Sequence, residues 1–201
     1  AVNDVVNFTF KHALSRVGFK VEAVMDQVND QENGANPDTD NQKNPIAEGT
    51  TISVQEVEIY SYFNNSGKLN LNGAEWTDRA FSYTSYKLTR DNFEVAVADK
   101  VTITPTLLNN EESYMMLIPT AASNKVKVRV KYTVTTKDDK LTDGASVVEN
   151  NITSDEFDFQ FAQGKAYTFV LHLGLTSVKL DAEVATWDEM DDYVVNVPNN
   201  F

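Results

Sequence analysis

The side chains that most often carry catalysis or hold metals are sparse in this chain. It has two histidines, His12 and His172, and no cysteine. Disulfides, thiolate zinc sites, iron–sulfur clusters and cysteine nucleophiles are therefore excluded. The histidines lack HExxH spacing and any third histidine or cysteine, so structural roles fit them better than metal binding. There is no GxSxG turn for a serine nucleophile and no glycine-rich phosphate loop.

Carboxylates are abundant, but their spacing specifies no site. The segment DTDN at 38–41 resembles the start of a calcium loop, yet the glycine and the closing glutamate of that motif are missing. The segment DEMDD at 188–192 could attract a cation, although we expect it to keep the approach to the last strand solvated. A glycosidase pair is defined by a separation that sequence does not give. We predict no cofactor, no metal site and no enzymatic activity.

Length and charge narrow the classes of protein further. The chain has 201 residues, 41% of them apolar, which suits one large domain or two small ones. A net charge of −13 and a pI near 4.5 disfavour nucleic acid as a partner. No apolar run is long enough to span a membrane, and the first ten residues lack the pattern of a signal peptide. The sequence thus suggests either a cytosolic protein or a mature or trimmed form of an exported one.

Apolar and polar residues alternate with period two through most of the chain, which is the pattern of strands with one buried face. The clearest examples are 125–134, 166–173 and 178–184. We expect about ten short strands, little helix and a mostly antiparallel β-sandwich. We expect a single β-sandwich domain over 1–187, with a long mobile loop at about 26–50. A turn is predicted at 64–67, and a polar loop at 137–154.

Two strand faces suggest possible contacts with partners. One face of 125–134 carries Lys125, Lys127, Arg129 and Lys131, which fits either a polar outer face or a patch for an acidic partner. At the C-terminus, the alternating residues of a strand within 188–201 are Tyr193, Val194, Val195 and Val197. This terminal strand can pair within its own domain, or it can leave and complete the sheet of a neighbour.

Three segments together resemble the fimbrillins, pilins of Gram-negative anaerobes of the gut and mouth. They are VNFTFKHALSRVGFKVEA near the start, YMMLIPTAASNKVKVRVKYTV in the middle and QGKAYTFVLHLGLTSVKLDAEVATW near the end. The order of the motifs Phe10-x-His12-Ala13-Leu14, Leu117-Ile118-Pro119, Gly164-Lys165-x-Tyr167 and Trp187 makes the resemblance fairly specific. The chain resembles the C-terminal domain of these proteins.

The resemblance implies a transthyretin-like, Greek-key β-sandwich on the outer-membrane surface. It implies assembly with other pilin subunits, in which removal of an N-terminal strand opens a groove for a strand of the next subunit. Carried over, the donor strand would be Tyr193, Val194, Val195 and Val197. The resemblance also implies that a trypsin-like, arginine-specific protease removes the N-terminal strand. Of the arginines, only Arg16 follows a first strand, and that strand belongs to the motif-bearing domain, so it does not look removable.

Three functions remain open at this stage. The first is a structural subunit of an extracellular fimbria that assembles by strand addition. The alternative is a tip or accessory adhesin that binds a host protein or glycan through the exposed loops 26–50 and 137–154. A third is a secreted carbohydrate-binding or hydrolytic sandwich. Only two tryptophans, Trp76 and Trp187, are available for a sugar-binding platform, which disfavours the third function.

Overall fold

The computed structural model describes residues 11–23, 49–95, 105–110, 112–174, 178–186 and 189–195 of the chain. These residues form strands joined by turns and irregular segments, with no helix, and hence none that could cross a bilayer. In chain order the strands are β1 (Ser15–Ala23), β2 (Thr50–Asn70), β3 (Glu75–Val95), β4 (Thr106–Leu107), β5 (Met115–Leu117), β6 (Asn124–Lys137), β7 (Ala145–Thr153), β8 (Phe157–Phe159), β9 (Lys165–Leu173), β10 (Val178–Thr186) and β11 (Glu189–Val195).

The first sheet, here called sheet A, joins the two ends of the described chain. Its order is β11-β10-β9-β1-β4, and β5 pairs with the same strand as β4. All of its ladders are antiparallel except β1–β9, which is parallel from Arg16↔Ala166 to Ala23↔Leu173. The central strand β1 therefore has partners that lie far away in the sequence.

The second sheet, here called sheet B, is antiparallel and is built from the middle of the chain. Its order is β3-β2-β6-β7, and β8 continues the β7 side of β6. Strands β2 and β3 have 21 residues each and form a hairpin that extends beyond β6, because β6 pairs with β2 only as far as Tyr60↔Lys127. The hairpin closes through a turn at Leu71–Ala74.

The core lies between the two sheets and is rich in aromatic rings. Phe19 and Phe169 of sheet A stack with ring centroids 5.9 Å apart. Phe159 of sheet B lies 5.1 Å from the ring of Tyr167 and 5.2 Å from that of Phe169, so the sheets meet directly. The Tyr132 hydroxyl, buried in the same core, donates to the carbonyl of Gly174 at 2.9 Å. Aromatic pairs in these offset and edge-on geometries stabilise the contact beyond the burial of area alone.

The prediction of an all-β fold is confirmed, as are the strands expected at 125–134, 166–173 and 178–184. Two local predictions are wrong. Residues 64–67 are not a turn but part of β2, and 145–153 of the supposed polar loop form β7. The loop at 26–50 lies outside the described residues, apart from its last two. The division into a domain 1–187 and a terminal strand 188–201, and the transthyretin-like Greek-key connection, stay predictions.

Candidate functional site

The C-terminal strand β11 lies at one edge of sheet A, where its described neighbour is β10. The ladder runs from Ala182↔Val195 through Glu183↔Val194 and Val184↔Tyr193 to Thr186↔Glu189, and the register shifts between Val184 and Thr186. Of the predicted donor residues, Tyr193, Val194 and Val195 belong to this strand, whereas Val197 lies outside the described residues. The strand that could be exchanged is therefore held by one antiparallel ladder in its own subunit.

The opposite edge of sheet A, along β1, is closed by the segment 105–117. Strand β5 pairs with Ser15–Val17, and β4 pairs with Lys20 and Val21. Between them, the buried side chain of Asn109 accepts a hydrogen bond from the Phe19 amide at 2.6 Å, while the Leu108 amide donates to the Phe19 carbonyl at 2.9 Å. Asn109 thus satisfies a backbone donor that a longer strand would otherwise pair with, and β1 offers no open edge here.

A close aromatic contact holds the same segment against β1. The ring of Tyr114 lies over Gly18, where an added Cβ would come within 2.6 Å of a ring carbon. The Arg16 guanidinium lies 4.5 Å from the centroid of this ring, a favourable cation–π distance. Glycine at position 18 is therefore required by the approach of Tyr114 rather than by backbone conformation. Arg16, considered above as a cleavage position, is part of strand β1 and of this contact.

The outer face of sheet B carries an ion-pair network centred on Glu58, which is 6% exposed. Its carboxylate accepts from the hydroxyls of Ser85 and Tyr60, each at 2.5 Å, and from the Arg129 guanidinium. Glu56 lies beside it, 2.9 Å from Lys87 and 3.3 Å from Arg129. Three strands therefore contribute to one network of hydrogen bonds and opposite charges.

Burial and hydrogen bonding shift the ionisation of two groups in this network. Burial of Glu58 opposes its ionisation, but the hydroxyls of Ser85 and Tyr60 and the charges of Arg129 and Lys87 outweigh it, so the pKa of Glu58 is lowered. Burial, with the adjacent Glu58 carboxylate, raises the pKa of Tyr60 to about 12. Glu58 therefore acts as an anchored anion and Tyr60 as a persistent donor. These are structural roles.

The face predicted as a possible basic patch is largely neutralised. Lys125 lies 2.7 Å from Asp158, and Lys127 lies 3.2 Å from Glu156. Arg129 belongs to the Glu58 network, which leaves Lys131 as the exposed member of the set with no ion pair among the described residues. Paired cations on an outer sheet face fit a polar surface better than a site for an acidic ligand.

The two histidines lie in different surroundings. His172 lies on the outer face of sheet A between Glu22 and Asp181, and its Nε2 is 2.8 Å from the Asp181 carboxylate. His12 borders a cavity of about 440 Å³ beside the hairpin turn, together with Lys11 and Gln163. In the described part of the chain, no three histidine or acidic side chains converge as a metal site. The calcium-like segment 38–41 lies outside it.

The far half of the β2–β3 hairpin is held by side chains that reach backbone carbonyls. Trp76 Nε1 donates to the Ala13 carbonyl at 2.6 Å, and Gln163 donates to Ala74 at 2.7 Å. Asn64 and Arg79 both donate to the carbonyl of Pro119, at 2.7 and 3.0 Å. These bonds, with the backbone bridge Asn64↔Ile118, fix the far half of the hairpin to the segments around Ala13, Pro119 and Gln163. Sequence reasoning missed these contacts because they depend on the register of distant strands.

The chain matches one family of known proteins. A family model described as fimbrillin-like matches residues 1–187, so the chain belongs to the fimbrillin-like family. A search of curated proteins found no match. Similar solved structures include a "putative cell adhesion protein" from Bacteroides uniformis, at 12% identity and a TM-score of 0.33 over 90% of this chain. Another, with the same description, comes from Parabacteroides distasonis, at 9% identity and a TM-score of 0.37 over 88% of this chain. The chain spans about half the length of these proteins, 53% and 52%.

Proposed function

We propose that the protein is a non-enzymatic structural subunit of a cell-surface fimbria, and that subunits join by exchange of β11. Membership of the fimbrillin-like family is the observation that carries the fimbrial role. The position of β11 supports the mode of joining, because this terminal strand has one described neighbour and contributes to one edge of its sheet.

Exchange between subunits would conserve the main-chain hydrogen bonds that β11 makes. When β11 leaves its own β10, the edge of β10 is open to the β11 of a neighbouring subunit in the same register, Glu183↔Val194 and Val184↔Tyr193. Main-chain hydrogen bonds then provide affinity, as in other cases of strand addition. Each subunit gives one strand and accepts one, which generates an open chain when the contact does not close on itself. The donor residues are Tyr193, Val194, Val195 and Val197.

The edge of β1 is a poorer acceptor in this chain. Asn109, β4 and β5 already satisfy its backbone groups, so an incoming strand would have to displace all three. An acceptor at β10 requires only the departure of β11. The proposal therefore places the junction between subunits at the β10–β11 ladder.

The first experiment compares the full chain with a chain that ends at Asp188, which removes the donor strand. A matched control ends at Pro198 and removes only the last three residues. Both forms and the full chain are run unboiled on a denaturing gel. We expect ladders from the full chain and the control and none from the form ending at Asp188. Equal ladders from all three would exclude β11 as the connector.

A mixing experiment tests the register. Chains carrying Glu183→Cys are assembled with chains carrying Val194→Cys, and disulfides are formed by mild oxidation; the native chain has no cysteine to interfere. Each variant has one thiol of the backbone pair, so a bond between the two different chains requires exchange. Disulfide-linked dimers of like chains, without the mixed dimer, would contradict strand exchange.

If none of the three forms gives a ladder in the gel experiment, the alternative of a tip or accessory adhesin is favoured, and a search for a host ligand follows.

A further inference from the structure

Strand β3 is an edge of sheet B, and its middle part presents a bare surface. Among the described residues its one ladder neighbour is β2. Residues Ala80–Thr84 are all exposed, and Phe81 and Tyr83 are 67% and 55% exposed. Tyr62 of β2, 50% exposed, lies beside them, with its ring centroid 6.2 Å from Phe81 and 5.3 Å from Tyr83. The three neighbouring aromatic rings form a contiguous exposed patch beside the open edge of β3.

The sequence of this edge lacks the features that normally prevent pairing with another chain. The segment AFSYTSY at 80–86 has no charge, no proline and no glycine, and its residues favour β-structure. Edge strands are usually blunted by a charge, a proline or a bulge.

The backbone of the edge is regular where the aromatic rings lie. The ladder between β2 and β3 has no register shift from Asn64↔Phe81 to Glu56↔Thr89. Irregularities occur on either side of it, where Asp78 and Asn92 have φ of 50° and 51°. A segment with regular pairing on one side leaves the backbone groups of its free side regularly spaced for a second strand.

We propose that this edge binds the same edge of a second copy of the chain, antiparallel and centred on Ser82. In that register Phe81 lies opposite the partner's Tyr83, and Arg79 lies opposite the partner's Ser85. Cross-strand aromatic pairs of this kind are favourable. The two patches, each with its Tyr62, then form one aromatic cluster across a twofold axis, and sheet B continues from one copy into the other.

Charge decides between this register and its neighbours. A pairing centred on Tyr83 would place Arg79 opposite the partner's Lys87, and like charges directly opposite each other are destabilising. A pairing centred on Thr84 would place Phe81 opposite Lys87 and separate the aromatic rings. The register centred on Ser82 brings no like charges together between Arg79 and Ser85. An interface of one strand pair is small, so the dimer is weak.

This inference goes beyond the proposed function and does not depend on it. The pairing involves sheet B, whereas the exchange of β11 involves sheet A. A dimer through β3 would join fimbriae side by side, or two subunits in solution, without any strand leaving its own fold. The two can therefore fail separately.

Sedimentation equilibrium between about 1 μM and 1 mM tests the proposal on the single-subunit fraction of the full chain, separated from any strand-exchanged polymer by size exclusion. We expect a reversible dimer, and Tyr83→Lys should raise its dissociation constant at least about tenfold by placing a charge in the aromatic cluster. The matched control is Val147→Lys, at a residue 60% exposed on β7, the other edge of the same sheet. A wild-type chain that stays monomeric, or an equal effect of both substitutions, would overturn the proposal.

Cross-linking tests the register in the same full chain. Ser82→Cys places two thiols opposite each other across the twofold axis, and the chain has no other cysteine. A short bifunctional thiol reagent should join this variant into dimers far more efficiently than Val147→Cys. Tyr83→Lys in the Ser82→Cys background should strongly reduce the yield of the product, in line with its weaker dimerisation. Efficient cross-linking through position 147 instead would show that the copies meet at β7.

Discussion

At the scale of single residues, two polar side chains join neighbouring segments through hydrogen bonds. Asn109 accepts from the Phe19 amide and donates through Nδ2 to the Ser113 carbonyl at 2.8 Å, so it joins β1 to the loop that covers it. Glu58 gathers donors from three strands into one buried anion. Neither role could be predicted from sequence, because each depends on which residues the strand registers bring together. Their residue types alone suggest a turn and a solvated face.

Asn109→Ala should lower the free energy of unfolding by about 1–3 kcal/mol, because the buried Phe19 amide loses its acceptor. Chemical denaturation measures the change. Asn110→Ala, at the adjacent exposed position, is the matched control and should have an effect below about 0.5 kcal/mol. Equal effects would mean that the loop, rather than the hydrogen bond to β1, determines the loss.

The ionisation of Glu58 should make the free energy of unfolding depend on pH. Its pKa is lowered in the folded state below the ordinary value of 4.5, so the unfolded chain takes up this proton first as the pH falls. The stabilisation is complete above that value and is lost as the pH falls through the folded pKa. Glu58→Gln should cost about 1–3 kcal/mol at pH 7 and much less at acid pH, as measured by urea denaturation.

The matched control for this pH dependence is Glu156→Gln, which removes the carboxylate beside Lys127. That pair is half exposed and should change the free energy of unfolding little at either pH. A Glu58→Gln cost that is the same at neutral and acid pH would contradict the role of the ionised carboxylate.

At the scale of elements, the β2–β3 hairpin shows what period-two patterns reveal and what they miss. The polar run at 64–67 suggests a turn, but Asn64 is held in the strand by its bond to the Pro119 carbonyl. The register shifts between Asn64 and Ser66 and again before Lys68, and the chain reverses only at Leu71–Ala74. Strand β7 was missed for another reason: as an edge strand with most of its side chains exposed, it has no apolar face to alternate with a polar one.

Trp76 provides a test of how this hairpin is held. Trp76→Phe keeps an aromatic ring near Gly67 but removes the donor to the Ala13 carbonyl, and should cost about 1 kcal/mol. Amide exchange should quicken in the far half of the hairpin while β6 stays protected. Leu71→Ala, at a turn residue 85% exposed, should change neither quantity. Faster exchange throughout sheet B would instead show that the hairpin and the sheet open together.

At the scale of the whole molecule, the all-β class could be predicted because strand patterns are local. The arrangement of the strands into sheets could not be predicted. In a parallel pair such as β1–β9, the sequence of one strand does not indicate which distant strand it pairs with. The resemblance to fimbrillins was predicted from motif order and is confirmed by the family match. The donor strand was predicted from its apolar alternation and from the resemblance to fimbrillins, and its exchange stays a prediction.

The parallel β1–β9 ladder also sets the order in which the molecule can be made. All strands of sheet B lie between Thr50 and Phe159, so this sheet can pair as soon as that stretch has left the ribosome or the export channel. Strand β1 emerges before the strands of sheet B but meets β9 only after Leu173 has followed it. Until then the apolar residues of β1 lack their contacts with β9, at a stage when exposed strands aggregate most readily. Strand β1 therefore gains its parallel neighbour only after the whole of sheet B has been made.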